Sequence, residues 1–325
     1  MLAKQRPQPP VRPVGLIAVW LAVFALLTAG LPRPGLAATL EVGAGKPYPM
    51  PSAAAAAAHD GDHINIAAGS YFDCAVWRAN DLTIRGAAAD TTVITDKTCQ
   101  GKGLFITYGN NIKISDLTLT RARVADFNGA GLRAEGGNLT LERVRFVNDQ
   151  DGLLAAPAPG KSIIIRDSLF LHNGTCEGGG GCAHDIYVNE IGLLRLEHTR
   201  FFETRSGHHI KSLAHQTEVI GCDLADGPNG SSSYVVDVPH GGGVLLRDNH
   251  IEKGPKSENH SSALIIGEDG VSQPTPEIVV EHNTFLVDGD YNSYLVNNMT
   301  ATEAQLKGNT LQGNAKALRG DGVVH

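Results

Sequence analysis

Residues 138–146 read NLTLERVRF, and residues 277–285 read EIVVEHNTF. In each, two apolar residues alternate with polar ones, and another apolar residue follows five positions after the second. Period-two alternation marks a strand with one buried face, and the change of phase before Phe146 and Phe285 marks a bend. The pattern recurs in DLTIRG from Asp81, NIKISDLTL from Asn111, SIIIRDSLF from Ser162, LLRLEHTRF from Leu193, TEVIGCDL from Thr217, VLLRDNHI from Val244 and EAQLKGNTL from Glu303. Its second apolar residues are Ile84, Ile114, Leu141, Ile165, Leu196, Val219, Leu246, Val280 and Leu306, at intervals of 23 to 34 residues. An irregular period of this size, with β-branched strand residues and Gly or Asn at the bends, predicts one turn of a parallel β-solenoid whose insertions go to loops. The consensus leucines of a leucine-rich repeat are absent. Antiparallel barrels and sandwiches would turn every ~8–12 residues.

These segments resemble the short repeats of the pectin-lyase-like superfamily, over roughly Thr39 to Gly313. The resemblance implies an all-β chain forming a single-stranded right-handed parallel β-helix. Handedness follows from it and from the chirality of parallel crossovers. The activity stays open, because this scaffold carries lyases, hydrolases, epimerases, adhesins and phage spikes. The expected organisation is a signal segment over 1–37, a β-helix domain of nine to ten coils over 38–314, and a frayed tail over 315–325.

The 325 residues are 42% hydrophobic and 19% charged, enough to bury a core, and 34 acids against 27 Lys plus Arg leave no general cationic surface for nucleic acid. Lys4, Arg6 and Arg12 precede an uncharged run from Pro13 to Pro32. With Gly35 and Ala37 as small residues before Ala38, this reads as an export signal, or as an uncleaved anchor, and as no other membrane association. A secreted or periplasmic location follows, and its oxidising environment suits two disulfides. Cys176 and Cys182 flank a Gly-rich loop, and Cys74 and Cys99 lie about one coil apart. Cys222 is left over and falls in an inward column with Leu117, Val144, Ser168, Thr199, Asn249, Asn283 and Asn309. That column predicts an internal amide ladder and an inert buried thiol. Pro51 and Ser52, followed by Ala53 to Ala58, predict a helix that caps the first coil, with Ser52 closing its N-terminus.

A second strand follows each bend. Its inward column is read as Leu132, Leu153, Ile186, Ile210, Val235 and Leu264, so that their neighbours point outward. Three consecutive coils then gather Asp149, Asp151, His184, Asp185, Tyr187, His208, His209 and Lys211 on one patch, with Arg133 and Arg205 at its border. Such a patch suits removal of the C5 proton of a uronic acid. That chemistry needs a cation for the carboxylate, a base at C5 and a proton donor. Lys211 and Arg133 are candidates for the cation, His208 or His209 for the base and Tyr187 for the donor, with His184 and Asp185 as further catalytic candidates. Arg133, Asp151 and Arg205 are the candidate substrate-binding residues. The family resemblance also raises calcium, for which Asp149, Asp151 and Asp185 supply oxygens.

The expectation is therefore a polysaccharide lyase or C5-epimerase acting on a uronate polymer. A polygalacturonase-like hydrolase is an alternative, with Asp151 and Asp185 as acid and base on adjacent coils. A transition metal on His184, Asp185, His208 and His209 is another. A non-catalytic glycan-binding or cell-envelope scaffold, whose histidines form only a polar ladder, is a third. Lys256 to His260 lie in the longest interval, as an inserted loop that could wall a groove.

Overall fold

The computed structural model describes residues 5–10 and 37–325, and the expected export signal, with its apolar heart from Val14 to Ala29, lies outside the described residues. Among the described residues no helix is long and apolar enough to cross a membrane. From Ala37 onward the chain winds as a parallel β-helix whose strands, wherever they pair as strands, run parallel.

The anchors stack as the repeat requires. Ile84 pairs with Ile114, then Leu141, Ile165, Leu196, Val219, Leu246, Val280 and Leu306 continue the same row. The row extends further at both ends than the repeat indicates. Leu40 and Ile64 precede it, and Val324 follows Leu306. The expected frayed tail is instead built into the solenoid: Ala315–Gly320 pairs with Ser293–Asn298, and Gly322–Val324 with Ala304–Lys307. Strand pairing holds these residues where no apolar repeat marks them.

A left-handed residue turns the corner two positions after the anchor: Asp116, Arg143, Asp167, His198, Gly221, Asp248, His282 and Gly308, all with φ between 48° and 63°. Glycine was expected at such bends, yet only Gly221 and Gly308 supply it here. Asp and His tolerate this region better than most side chains, and repeated hydrogen bonding across the corner holds the others in it. The corner column behaves as a ladder. Cys222 N–H donates to Asn249 Oδ1 at 2.8 Å, Asn249 N–H to Asn283 Oδ1 at 3.0 Å and Asn283 N–H to Asn309 Oδ1 at 2.9 Å. Thr199 N–H reaches Cys222 Sγ at 3.4 Å, so the free thiol is a ladder member, and burial pushes its pKa up to about 11. Past the corner, Phe146, Phe170 and Phe201 stack in register at 4.6 and 4.8 Å, inside the next face.

The N-terminal end is covered by one helix, α1 (Pro51–Ala57), which packs on Thr39–Val42 and Ala75–Trp77 and buries Ala54 completely. Ser52 does not close it as expected. Met50 is the N-cap residue and its side chain makes no cap bond, while Ser52 N–H donates to Asp73 Oδ2 at 2.8 Å. A carboxylate from the next coil therefore satisfies a free amide of the first turn and offsets its partial positive charge. Nearby, Cys74 and Cys99 form a disulfide with a Cα separation of 5.5 Å, joining adjacent coils as their spacing implies.

Candidate functional site

The third face is a ten-stranded parallel sheet. Along it, Leu132, Leu153, Ile186, Ile210, Val236 and Leu264 form the inward row, each essentially inaccessible. One position later, the outward row reads Arg133, Leu154, Tyr187, Lys211, Asp237 and Ile265. The inward residue of the Tyr234 coil is thus Val236, not Val235. An extra residue in the Ser231–Ser233 run shifts the register by one and brings Asp237 beside Lys211.

Two expected outward residues are sealed inside. Asp185 and His209 precede the strands Ile186–Val188 and Ile210–Ser212, so strand alternation has not yet begun there, and two consecutive side chains turn inward. Asp185 accepts from Asn173 Nδ2 at 2.9 Å and from the Thr204 hydroxyl. Burial raises its pKa, against the pull of His209 and these bonds. His209 Nε2 lies 3.1 Å from Asp226 Oδ1, and both side chains are fully buried. Burial alone would raise the Asp226 pKa, but the bond and charge of His209, with Lys253, hold it well below the usual range. His209 is therefore half of an internal ion pair and no base for a bound substrate.

His184 and His208 take the outward place, with rings stacked at 4.7 Å. His208 N–H donates to His184 Nδ1 at 2.9 Å, and Tyr234 N–H donates to His208 Nδ1 at 3.1 Å. Each Nδ1 lone pair is thus engaged by a backbone donor, which places the single proton of each neutral ring on Nε2. Burial keeps both rings neutral. It lowers His184, beside the Lys211 charge, to about 3, and takes His208 well below its usual value, with His184 and Lys211 adding to the effect. In this form the imidazoles are hydrogen-bond donors. Neither has a free lone pair to abstract a proton or bind a metal.

Asp237 lies beneath them, with both oxygens buried and no hydrogen bond of good geometry. Its Oδ2 is 3.5 Å from His208 Nε2 and 3.4 Å from Lys211 Nζ. Burial pushes its pKa up to about 7, against the attraction of Lys211. Lys211 and Tyr187 are the half-buried polar groups that reach outward here. They are paired on adjacent strands, with Lys211 Nζ 5.9 Å from the Tyr187 ring centre. The edge of Tyr187 meets His184 at 5.5 Å.

The carboxylates expected to hold calcium do not converge. Asp149 Oδ1 accepts from Ala122 N–H and Asp151 Oδ1 from His184 N–H, each at 2.7 Å, while Asp185 faces Asn173 and Thr204. All three are buried corner residues that satisfy the chain around them. Burial raises Asp149 well above the carboxylate range and Asp151 to about 7. Among the described residues no three His, Cys, Asp or Glu side chains are grouped to hold a metal ion. The calcium and transition-metal expectations therefore do not fit these residues. The hydrolytic one loses its acid and base, since Asp151 and Asp185 are 2% and 0% exposed.

Three hollows line the surface around the Cys176–Cys182 loop, whose disulfide is formed. One of about 350 Å³ lies over His184, Tyr187, His208 and Lys211, with Glu258 of the inserted loop on its wall. A hollow of about 160 Å³ shares Tyr187 and Cys182 with it, and shares Phe127 and Glu177 with a third of about 530 Å³. Together they make one elongated groove. Arg205 lines the third hollow with Arg123, which the sequence did not single out because it lies on a corner between strands. Arg133, expected to meet substrate, has Nε 3.2 Å from Glu135 Oε1 and is largely covered.

No family model matches the chain, and no curated protein matches it. Solved structures do. An alginate lyase from Paenibacillus sp. str. FPU-7 superposes with a TM-score of 0.58 at 17% identity, over 88% of this chain and 99% of its own. Pectate lyase Pel9A gives 0.59 at 13% identity, over 86% and 78%. ORF18 of Geobacillus virus E2 gives 0.52 at 12% identity, over 81% and 54%. At these identities the likeness establishes the fold alone, a right-handed parallel β-helix.

Proposed function

We propose that the protein is exported, binds a uronate-containing polysaccharide along the groove, and acts on it by β-elimination or C5 epimerisation. The observation that carries this reading is the pairing of Tyr187 with Lys211 on adjacent strands, over a buried Asp237 that holds the ammonium in place. The Lys211 ammonium and the Nε2–H groups of His184 and His208 are donors for the substrate carboxylate, whose charge grows as C5 loses its proton. The phenol oxygen of Tyr187 is the proton-transfer group, acting as phenolate to take the C5 proton. In elimination the C5–H electrons form the C4–C5 double bond, the C4–O4 bond breaks, and O4 takes up the proton that Tyr187 received from C5. In epimerisation a proton from water returns to C5 on the opposite face, and Tyr187 gives up the one it received to solvent. Two structural neighbours, an alginate lyase and a pectate lyase, agree with a polyuronate substrate. The two disulfides agree with an oxidising compartment.

A non-catalytic glycan-binding protein is the second reading. The locked tautomers favour it, since the imidazoles of a binding groove need only donate. One experiment separates the two. The protein is incubated in D2O with alginate, polygalacturonate and glucuronan, and unsaturated product is followed by ultraviolet absorbance and C5 deuterium by NMR. The lyase or epimerase reading expects one or the other signal, lost in Tyr187→Phe with an unchanged thermal transition. Binding without either signal on any of the three polymers would leave the binding protein.

A further inference from the structure

Arg123 and Arg205 share the largest hollow of the groove, and neither pairs with a carboxylate among the described residues. Arg121 and Arg133, from the same stretch of chain, are paired with Asp96 and Glu135. Arg123 instead donates to neutral oxygens, to Asn148 O at 2.7 Å, to Asn148 Oδ1 at 2.8 Å and to Ala122 O at 2.9 Å. Arg205 also donates to Asn148 Oδ1, so one amide oxygen draws both guanidinium groups together. The buried carboxyl Asp149 forms no ion pair with either: its Oδ1 accepts from Ala122 N–H at 2.7 Å, and burial raises its pKa. Desolvation and the charge of Arg123 together disfavour the Arg205 cation, as expected for two like charges gathered without a counterion. Glu177 on the rim is exposed and forms no ion pair with either.

A pair of guanidinium groups on the wall of a hollow, with spare donors and no anion of their own, matches a carboxylate in charge and in planar geometry. We propose that this cleft is a carboxylate-binding subsite, taking a uronate residue of the polymer beyond the one that meets Tyr187 and Lys211. The inference rests on the polyuronate reading above and adds where, along the groove, the chain is held. The intermediate hollow, which shares Tyr187 and Cys182 with one end and Phe127 and Glu177 with the other, lies between the two. The subsite therefore discriminates by length and by charge: only an oligomer that spans the loop reaches both ends.

The test is equilibrium binding of the full chain to hexagalacturonate, hexamannuronate, their dimers and neutral cellohexaose, measured by titration calorimetry. Wild type binds a hexuronate more tightly than the dimer. Arg123→Gln with Arg205→Gln weakens the hexamer about tenfold or more, the scale of one charge-assisted pair, and leaves the dimer unchanged. Should the double variant melt early, Arg205→Gln alone carries the test, since that side chain is exposed and donates to the Asn148 amide. Hexuronate affinity equal to wild type in a folded variant overturns the subsite and leaves the polyuronate reading standing. Wild-type protein that binds neither hexuronate, or binds cellohexaose as well, overturns both.

Discussion

Lys211 Nζ lies 3.4 Å from Oδ2 of Asp237, a carboxyl with no solvent exposure and a pKa near 7 in place of the ordinary 3.8. Between those values the folded chain keeps a proton that the unfolded chain has released. Stability contributed by this group is therefore present at low pH and lost as pH rises through the range from 3.8 to about 7. Asp237→Asn keeps the shape without the titration. Its unfolding free energy should be close to wild type near pH 4 and exceed it near pH 8, by up to about 4 kcal/mol. With its counterion gone, Lys211 is no longer held beside Tyr187, and turnover on the responsive polymer should drop about tenfold. Melting curves that track wild type at both pH values would show that the carboxyl is not strained by burial.

His208 and His209 are neighbours in sequence with opposite duties. His209 closes a buried ion pair with Asp226, so His209→Ala strands a charge in the interior and should cost about 3–5 kcal/mol. His208 is half-buried, and His208→Ala forfeits one acceptor for Tyr234 N–H, with an expected loss of about 1–2 kcal/mol. Chemical denaturation of the two variants checks the order. Equal losses, or a His209→Ala protein as stable as wild type, would contradict the inward placement of His209.

The asparagine ladder carries a third expectation. Asn283 accepts from Asn249 N–H, donates to Leu246 O at 3.0 Å and donates to Asn309 Oδ1 at 2.9 Å. Removing this amide in Asn283→Ala leaves buried backbone groups unpaired and should destabilise by about 2–3 kcal/mol. Cys222, on the same ladder, should resist a thiol reagent in native protein and react once unfolded, because burial raises its pKa to about 11. Rapid labelling of native protein would place the thiol elsewhere.

The anchor rows were readable because alternation and a fixed five-residue step are local properties, and the asparagine column was carried along with them. The last coil escaped notice, and the first, inside the expected span from Thr39, carried no repeat anchor. TLEV at Thr39 and GVV at Gly322 lack the apolar residue after the bend, and their pairing partners alone make them strands. On the third face the apolar row placed Tyr187 and Lys211 outward. Three features were not legible there. Phase is lost at the corner before Ile186 and Ile210, so Asp185 and His209 were assigned to the wrong side. The serine run before Tyr234 offers no apolar anchor, so the register slipped and concealed Asp237. Arg123 meets Arg205 only through the stacking of separate coils, which periodicity does not report.

The two disulfides should separate stability from binding. Cys74–Cys99 closes a loop 25 residues long and ties the first coils together, whereas Cys176–Cys182 spans only 6. Loop-closure entropy assigns about 3–4 kcal/mol to the longer one and about 2 kcal/mol to the shorter. The shorter bridge, however, lies in the loop that walls all three hollows, where Gly178 to Gly181 have no side chains to stiffen it. Replacing Cys176 and Cys182 by Ser should thus shift the thermal midpoint less than replacing Cys74 and Cys99. It should also weaken binding of a hexuronate more, since an unbridged loop must be ordered each time the groove is filled. The paired measurement is a melting curve and a titration for each double variant. If loss of Cys74–Cys99 weakens hexuronate binding as much as loss of Cys176–Cys182 while most of the protein remains folded, the groove is not formed under that loop.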